Sequence, residues 1–328
     1  MKTSFILFIL SCFILSGCSE TKKQDGEYTY IHTQGEIFRT TANIKYHYHQ
    51  DLNDEIYARL DSFNLSLNPF VENSIISKVN RNEDVEVDDW FMMVFNKSME
   101  VSEMTDGAFD ITTAPLVNLW GFGFEKQGDV EQISQQMVDS IKEFVGYKKI
   151  RLEGRKVIKE DPRTQLNASA IAKGYACDVV ANLFDELGIE DYMVEIGGEV
   201  HAKGKNPNGD CWKIGVTKPV LGAKSDEENM ETVTLCNKSL ATSGNYRNYY
   251  EKGGKRYAHT INPTTGYPSE NEILSVTIIH PECILADAYA TAFMAMGLEE
   301  AQKKAAQIDD MNCLFIYLKD GEMAILER

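Results

Sequence analysis

Asp287 and Thr291 stand four residues apart in LADAYATAFMAM, a stretch rich in alanine and free of glycine and proline, so a helix there projects both side chains from one face. A carboxylate and a hydroxyl converging from an otherwise apolar helix suit a hard cation such as magnesium, which takes oxygen ligands and shares them with substrate phosphates. The same pair also suits a plainer role, an acid favoured by the dipole in a first helical turn and a threonine bonding back to a carbonyl. His259 comes shortly before this helix, ahead of Asn262-Pro263-Thr264-Thr265-Gly266-Tyr267-Pro268, where two prolines and a glycine impose turns. The β-branched run from Ile273 to Ile279 then reads as a buried strand. A histidine, a carboxylate and a hydroxyl thus arrive in the order turn, strand, helix.

Two other stretches carry polar groups at useful positions. From Gln165 to Asp178 small residues lead into a helix, which leaves backbone N–H groups accessible at its first turn, and Lys173 adds the positive charge an anionic ligand requires. Close helix packing with a surface lysine is the alternative. Thr105 to Pro115 has little periodicity but two aspartates and three threonines, a polar density that suits a functional loop. Gly121-x-Gly123 lacks the continuation of a dinucleotide fingerprint, and Gly253-Gly254-Lys255 lacks the spacing of a phosphate loop. His47 and His49 share a strand face without a third metal ligand nearby.

Helices and strands must alternate to position these groups. Ile31 to His49 alternates apolar and polar and reads as one or two strands. Helices are expected over Asp51 to Phe63, Asp88 to Met104, Ser134 to Val145, and from the Lys173 segment to near Gly188. Tyr192 to Val200 reads as a strand interrupted at Gly197-Gly198 by a bulge or close backbone approach. Trp212 to Thr217 is another strand, Leu240 leads a strand into Thr242-Ser243-Gly244, and Asn312 to Leu326 is a hairpin turning at Asp320-Gly321.

With 328 residues and 43% hydrophobic content, the chain can bury one large core or two modest ones. Its formal net charge of −17 argues against nucleic acid as a partner. The opening MKTSFILFILSCFILSGC has one lysine, an apolar run and then Leu15-Ser16-Gly17-Cys18, the pattern of a signal segment whose end resembles a bacterial lipobox. The expectation is a signal peptide over residues 1–18 with lipid on Cys18, a polar tether over 19–27, and a folded domain over 28–328. That places the body outside the cytoplasm, anchored to a bacterial membrane on its periplasmic side. Setting aside Cys12 and Cys18 leaves Cys177, Cys211, Cys236, Cys283 and Cys313 at wide, irregular spacing, which reads as buried free thiols, with one disulfide open.

Four segments together, GAFDITTAPLVNLWGFG, ASAIAKGYACD, LATSGNYRNYY, and AHTINPTTGYP followed by LADAYATAFMAMG, resemble the ApbE family of flavin:protein FMN transferases. They occur in the family order, and the resemblance runs over nearly all of the chain from about Tyr28. It implies an α+β, two-lobed fold with mixed or antiparallel sheets and packed helices, and FAD in the cleft between lobes. The implied enzyme is magnesium-dependent: it cleaves the pyrophosphate of FAD, releases AMP, and esterifies FMN onto a threonine of an acceptor flavoprotein with a D-x-x-[ST]-G-A-[ST]-like motif, such as a membrane redox subunit. By the same resemblance Ala170, through its carbonyl, with Asp287 and Thr291, holds the metal, and His259 activates the attacking nucleophile. Lys173 falls near the phosphates, Ala108, Phe109, Asp110 and Ile261 at the adenosine half, and Asn167, Ser243 and Gly244 among the other FAD contacts. Phe70 falls where a family aromatic stacks on the isoalloxazine, and Phe38 near a methionine of the first strand.

Three departures from the family pattern stand out. Asn262 replaces the aspartate of D-P-x-T-G, Asn167 replaces an aspartate before the alanine segment, and SLNPFVENS does not reproduce S-T-Y-x-P-x-S. The altered loop bears on the balance between transfer and hydrolysis, so the first rival is an FAD pyrophosphatase that delivers FMN and AMP to water; a second is a lipoprotein that binds FAD without chemistry, against which Asp287, Thr291 and His259 argue.

Overall fold

The computed structural model describes residues 28–125, 133–217, 230–245, 249–252 and 255–328. The signal segment, the tether, Arg247 and the Gly253-Gly254 turn lie outside them. Among the described residues no helix is long and apolar enough to cross a membrane.

An eight-stranded sheet forms the frame: β1 (Thr29–Ile37), β2 (Thr40–Tyr48), β5 (Tyr192–Ile196), β6 (Glu199–Lys203), β9 (Lys238–Gly244), β12 (Ile273–His280), β13 (Asn312–Lys319) and β14 (Glu322–Glu327), in that spatial order. Every neighbouring pair is antiparallel. Three two-stranded ribbons accompany it, β3 (Ile150–Glu153) with β4 (Lys156–Lys159), β7 (Trp212–Thr217) with β8 (Met230–Leu235), and β10 (Tyr249–Lys252) with β11 (Lys255–Ala258). β12 is buried along nearly its whole length, which is why it reads in sequence as an unbroken β-branched run rather than an alternation.

Two helices, α6 (Ala172–Glu186) and α7 (Cys283–Met296), pack side by side against the central strands, and α1 (Asn53–Leu67) and α3 (Asp89–Met104) cover them from outside. α7 is buried on almost every side, Thr291 and Met296 being only half-buried, as expected of a helix apolar all round. Asp88 caps α3 by accepting from the Phe91 N–H at 2.8 Å, and Ser134 caps α5 (Gln135–Lys142) through the Met137 N–H. Two short helices escape the periodicity reading, α2 (Ile75–Asn80) and α4 (Ala114–Leu119), since six residues are too few to display it. A short helix, α8 (Leu298–Ala305), follows α7 directly.

Two expectations need correction. Gly197 and Gly198 do not interrupt one strand; both have positive φ, 66° and 102°, and they turn β5 back into β6. Paired left-handed residues are what a tight hairpin turn demands, and two glycines supply them without strain. The reading of the five cysteines as free thiols holds for only three, because Cys211 and Cys236 form the one disulfide that the sequence left open. They flank the first registered pair of the β7–β8 ribbon, Trp212 with Leu235, so the register set by residues far apart in sequence brings them together. Cys177, Cys283 and Cys313 are buried and free, as read.

The main core lies between the sheet and the helices. A second cluster, Met193, Val200, Ala202, Trp212, Val216, Leu235 and Leu240, seats the β7–β8 ribbon on the sheet. A third, around Leu116, Trp120, Val138 and Ile261, fixes α4 and α5 to the turn that follows His259.

Candidate active site

One cleft of about 950 Å³ collects nearly all of the residues singled out from sequence. Asp287 and Thr291 come from α7, Ala170 and Lys173 from the start of α6, and Ser243 and Gly244 from the end of β9. His259 and Ile261 enter from the segment after β11, Ala108, Phe109 and Asp110 from the loop after α3, and Asn167 from the segment before α6. Phe70 lies at the mouth. Phe38 does not line this cleft; it lines a smaller pocket of about 200 Å³ that adjoins it, with Phe70, Ser169 and Lys173 common to both.

The floor is charged and closely bonded. Asp287 is 3% exposed, and its Oδ2 accepts from the Gly174 N–H at 2.9 Å. Lys173 Nζ stands 2.7 Å from Glu199 Oε1 and 3.9 Å from Asp287 Oδ1. Burial alone would lower the Lys173 ammonium, but Asp287 and Glu199 outweigh it and hold its pKa above the usual lysine value. Burial drives Glu199 the other way for an acid, up to about 7, against the pull of Lys173. Its second oxygen, Oε2, is buried and has no hydrogen-bond partner. Thr291 Oγ1 lies 3.3 Å from Ser243 Oγ, which ties α7 to the end of β9.

These groups present oxygen donors of the kind magnesium prefers, a buried carboxylate, a hydroxyl and the Ala170 peptide carbonyl, beside an orphaned carboxylate oxygen. Among the described residues no group of three His, Cys, Asp or Glu side chains is placed to hold a metal ion.

The walls are held from within. Asp110 is buried, and burial raises its pKa even though its carboxylate accepts from the Thr112 N–H, the Thr112 hydroxyl and the Tyr147 N–H at 2.6 to 2.7 Å. It braces the loop that carries Ala108 and Phe109. Asn167 Oδ1 accepts from Ser169 N and Oγ at 2.9 and 2.6 Å, which bends the segment before α6. Asn262 accepts from the N–H groups of Thr264 and Thr265 and donates through Nδ2 to the Ala295 carbonyl at 2.9 Å. An ionised aspartate could not make that last bond, so the departure from D-P-x-T-G gains a link between the turn and α7. Trp120 Nε1 secures the same turn by donating to the Gly266 carbonyl at 2.8 Å. His259 is half-buried, its ring centroid 6.4 Å from Phe122 in an edge-on arrangement. At the mouth the Arg39 guanidinium lies 5.1 Å from the centre of the Phe70 ring, which is 48% exposed.

Sequence reasoning missed Glu199. It sits in a run that reads as ordinary strand, and only the reversal at Gly197-Gly198 delivers it to Lys173. The signal available was the glycine pair itself, whose demand for a tight turn was read as a bulge.

The ApbE family matches residues 38–315. A FAD:protein FMN transferase of Vibrio cholerae is 35% identical over 326 residues, covering 97% of this chain and 94% of its own. One of Haemophilus influenzae is 34% identical over 331 residues, covering 96% and 92%. The solved structure of the flavin transferase ApbE from Vibrio cholerae superposes with a TM-score of 0.83 at 34% identity, over 92% of this chain and 97% of that one.

Proposed function

The chain belongs to the ApbE family, and from that premise we propose that it is an enzyme, a FAD:protein FMN transferase, which cleaves FAD, esterifies FMN onto a threonine of an acceptor flavoprotein and releases AMP. The observation that carries this reading is the meeting of Lys173, Asp287, Thr291, Ala170 and His259 in one cleft large enough for a dinucleotide. A site that only stored flavin would have no use for a buried acid–lysine–acid floor under the phosphates.

Asp287, Thr291 and the Ala170 carbonyl would hold magnesium, which would supply charge neutralisation to the pyrophosphate as the bond from the FMN phosphorus to the bridging oxygen breaks and that oxygen leaves with AMP. Lys173, poised between Glu199 and Asp287, reaches a non-bridging phosphate oxygen by exchanging one anionic partner for another. His259 accepts the proton of the attacking threonine hydroxyl, so that the oxygen reaches the FMN phosphorus as AMP departs. Phe109 and Ile261 line an apolar wall for adenosine, and Phe70 offers an exposed ring face to the isoalloxazine. The opening signal and lipobox pattern supports a lipid anchor at Cys18 outside the cytoplasm.

The test is incubation of the full chain with FAD and magnesium, with and without a peptide bearing a D-x-x-[ST]-G-A-[ST]-like motif, read by mass spectrometry. A peptide heavier by one FMN, with AMP released, is the expected result. Free FMN and AMP beside an unmodified peptide would point to a pyrophosphatase, and intact bound FAD to a carrier.

A further inference from the structure

The helices that carry Lys173 and Asp287 cap one another. α6 and α7 approach so closely at Gly174 that a Cβ there would lie 2.3 Å from the Cys283 carbonyl oxygen and 2.7 Å from the Asp287 Cβ. Neither helix has a side-chain cap of its own, the residues before them being Ile171 and Glu282. Each receives a carboxylate from the other. Asp287 of α7 accepts from the Gly174 N–H of α6 at 2.9 Å. Asp178 of α6 accepts from the first two N–H groups of α7, Cys283 to Oδ1 at 3.1 Å and Ile284 to Oδ2 at 2.8 Å. On its own helix each acid stands four residues beyond the N–H that the other acid caps, Asp178 after Gly174 on α6 and Asp287 after Cys283 on α7, so the two contacts are about one turn apart. His201 on β6 adds Nδ1 at 2.7 Å from Asp178 Oδ1, which fixes the carboxylate against the sheet.

We infer that Asp178, which does not line the cleft, is a positioning residue for the metal site: by capping α7 from α6 it sets the axial position and rotation of α7, and with them the placement of Asp287 and Thr291 against Ala170 and Lys173. The Gly174 contact shows why one carboxylate does not suffice. Asp287 both bonds the Gly174 N–H and offers its remaining oxygen to the cleft, so any slide of α7 is transmitted to the ligand itself. Asp178 resists that slide with two charge-assisted bonds at the other end of the contact. Outer residues that orient ligands in this way typically contribute about 10- to 100-fold to metal affinity.

This inference rests on the proposed metal site, and the experiment separates the two. Mn2+ is titrated into the full-length protein and free Mn2+ is read by electron paramagnetic resonance, with FAD affinity measured in parallel by fluorescence, for wild type, Asp287→Ala, Asp178→Ala and Asp178→Asn. The expected result is that Asp287→Ala loses the site, Asp178→Ala weakens Mn2+ by about 10-fold or more, and Asp178→Asn, which keeps one acceptor oxygen, falls between. FAD affinity stays within about twofold of wild type in both Asp178 variants, because Asp178 does not line the cleft. A merely structural role would lower the melting temperature and leave the Mn2+ affinity of the folded protein unchanged. Where Asp178→Ala does not fold, Asp178→Asn decides. Tight Mn2+ binding by wild type that is lost in Asp287→Ala but kept in both Asp178 variants overturns the inference alone. Wild type that binds no Mn2+ overturns the metal site and the inference with it.

Discussion

The floor of the cleft and its mouth are built on different principles. At the floor and just behind it, Asp287, Glu199 and Asp178 are buried or nearly so, the two aspartates paired with backbone N–H groups and Glu199 with a lysine. At the mouth, Phe70 and Arg39 stack in the open, and Phe38 and Arg39 hold left-handed φ values of 53° and 62° in the turn between β1 and β2. The floor fixes geometry for charge; the mouth offers surface that can adapt. The comparison teaches where to expect chemistry and where to expect selectivity: loss of a floor residue should change metal dependence and turnover, and loss of a mouth residue should change affinity for flavin.

The comparison is broken most forcefully at Asp287. Asp287→Ala should lower magnesium-dependent turnover by about three orders of magnitude, the several kcal/mol a metal contributes to such a transition state, with FAD binding still measurable. Loss of FAD binding with an unchanged magnesium response would erase the distinction between floor and mouth. Gly174→Ala should cost on the order of 3 kcal/mol of stability, because backbone rather than a flexible side chain blocks its Cβ, and thermal melting checks this.

Glu199 offers a pH test of the floor. Its folded pKa is raised to about 7 from 4.5, so the native state binds that proton more tightly than the unfolded chain. Its contribution to stability is full below the unfolded value and is lost as pH rises through the folded one. In EDTA, Glu199→Gln should therefore gain on wild type by on the order of 2 kcal/mol, a few degrees in melting temperature, between about pH 4 and about pH 8. A constant difference across that range would remove the buried acid from the account.

The mouth gives the smallest effects. Phe70→Ala should raise the KM for FAD by about tenfold or less, the worth of one aromatic contact, without moving the magnesium dependence. Reducing Cys211–Cys236, or replacing both by serine, should loosen the β7–β8 ribbon, which lines the cleft through Gly215, Val216 and Thr217, and again leave metal affinity unchanged.

What the sequence disclosed follows the same division. Asp287 and Thr291 were legible because helical spacing is local, and the turn after His259 because Pro263, Gly266 and Pro268 punctuate it. β1, β2, α1 and α3 showed in their periodicity. Glu199 and Asp178 were not legible as partners: the first needs a hairpin turn and the second a helix 105 residues away. The Cys211–Cys236 bond depended on ribbon register, which no spacing of cysteines reveals. Local pattern brings the candidate groups to notice, and tertiary packing discloses what holds them in place.

The most direct test of the central claim is anomalous scattering from crystals of the protein grown with Mn2+ and FAD. The account predicts a peak at the α6–α7 crossing, bonded to Asp287, Thr291 and the Ala170 carbonyl and touching a phosphate oxygen. FAD bound in the cleft with no peak there, or with the only peak on other residues, would contradict it.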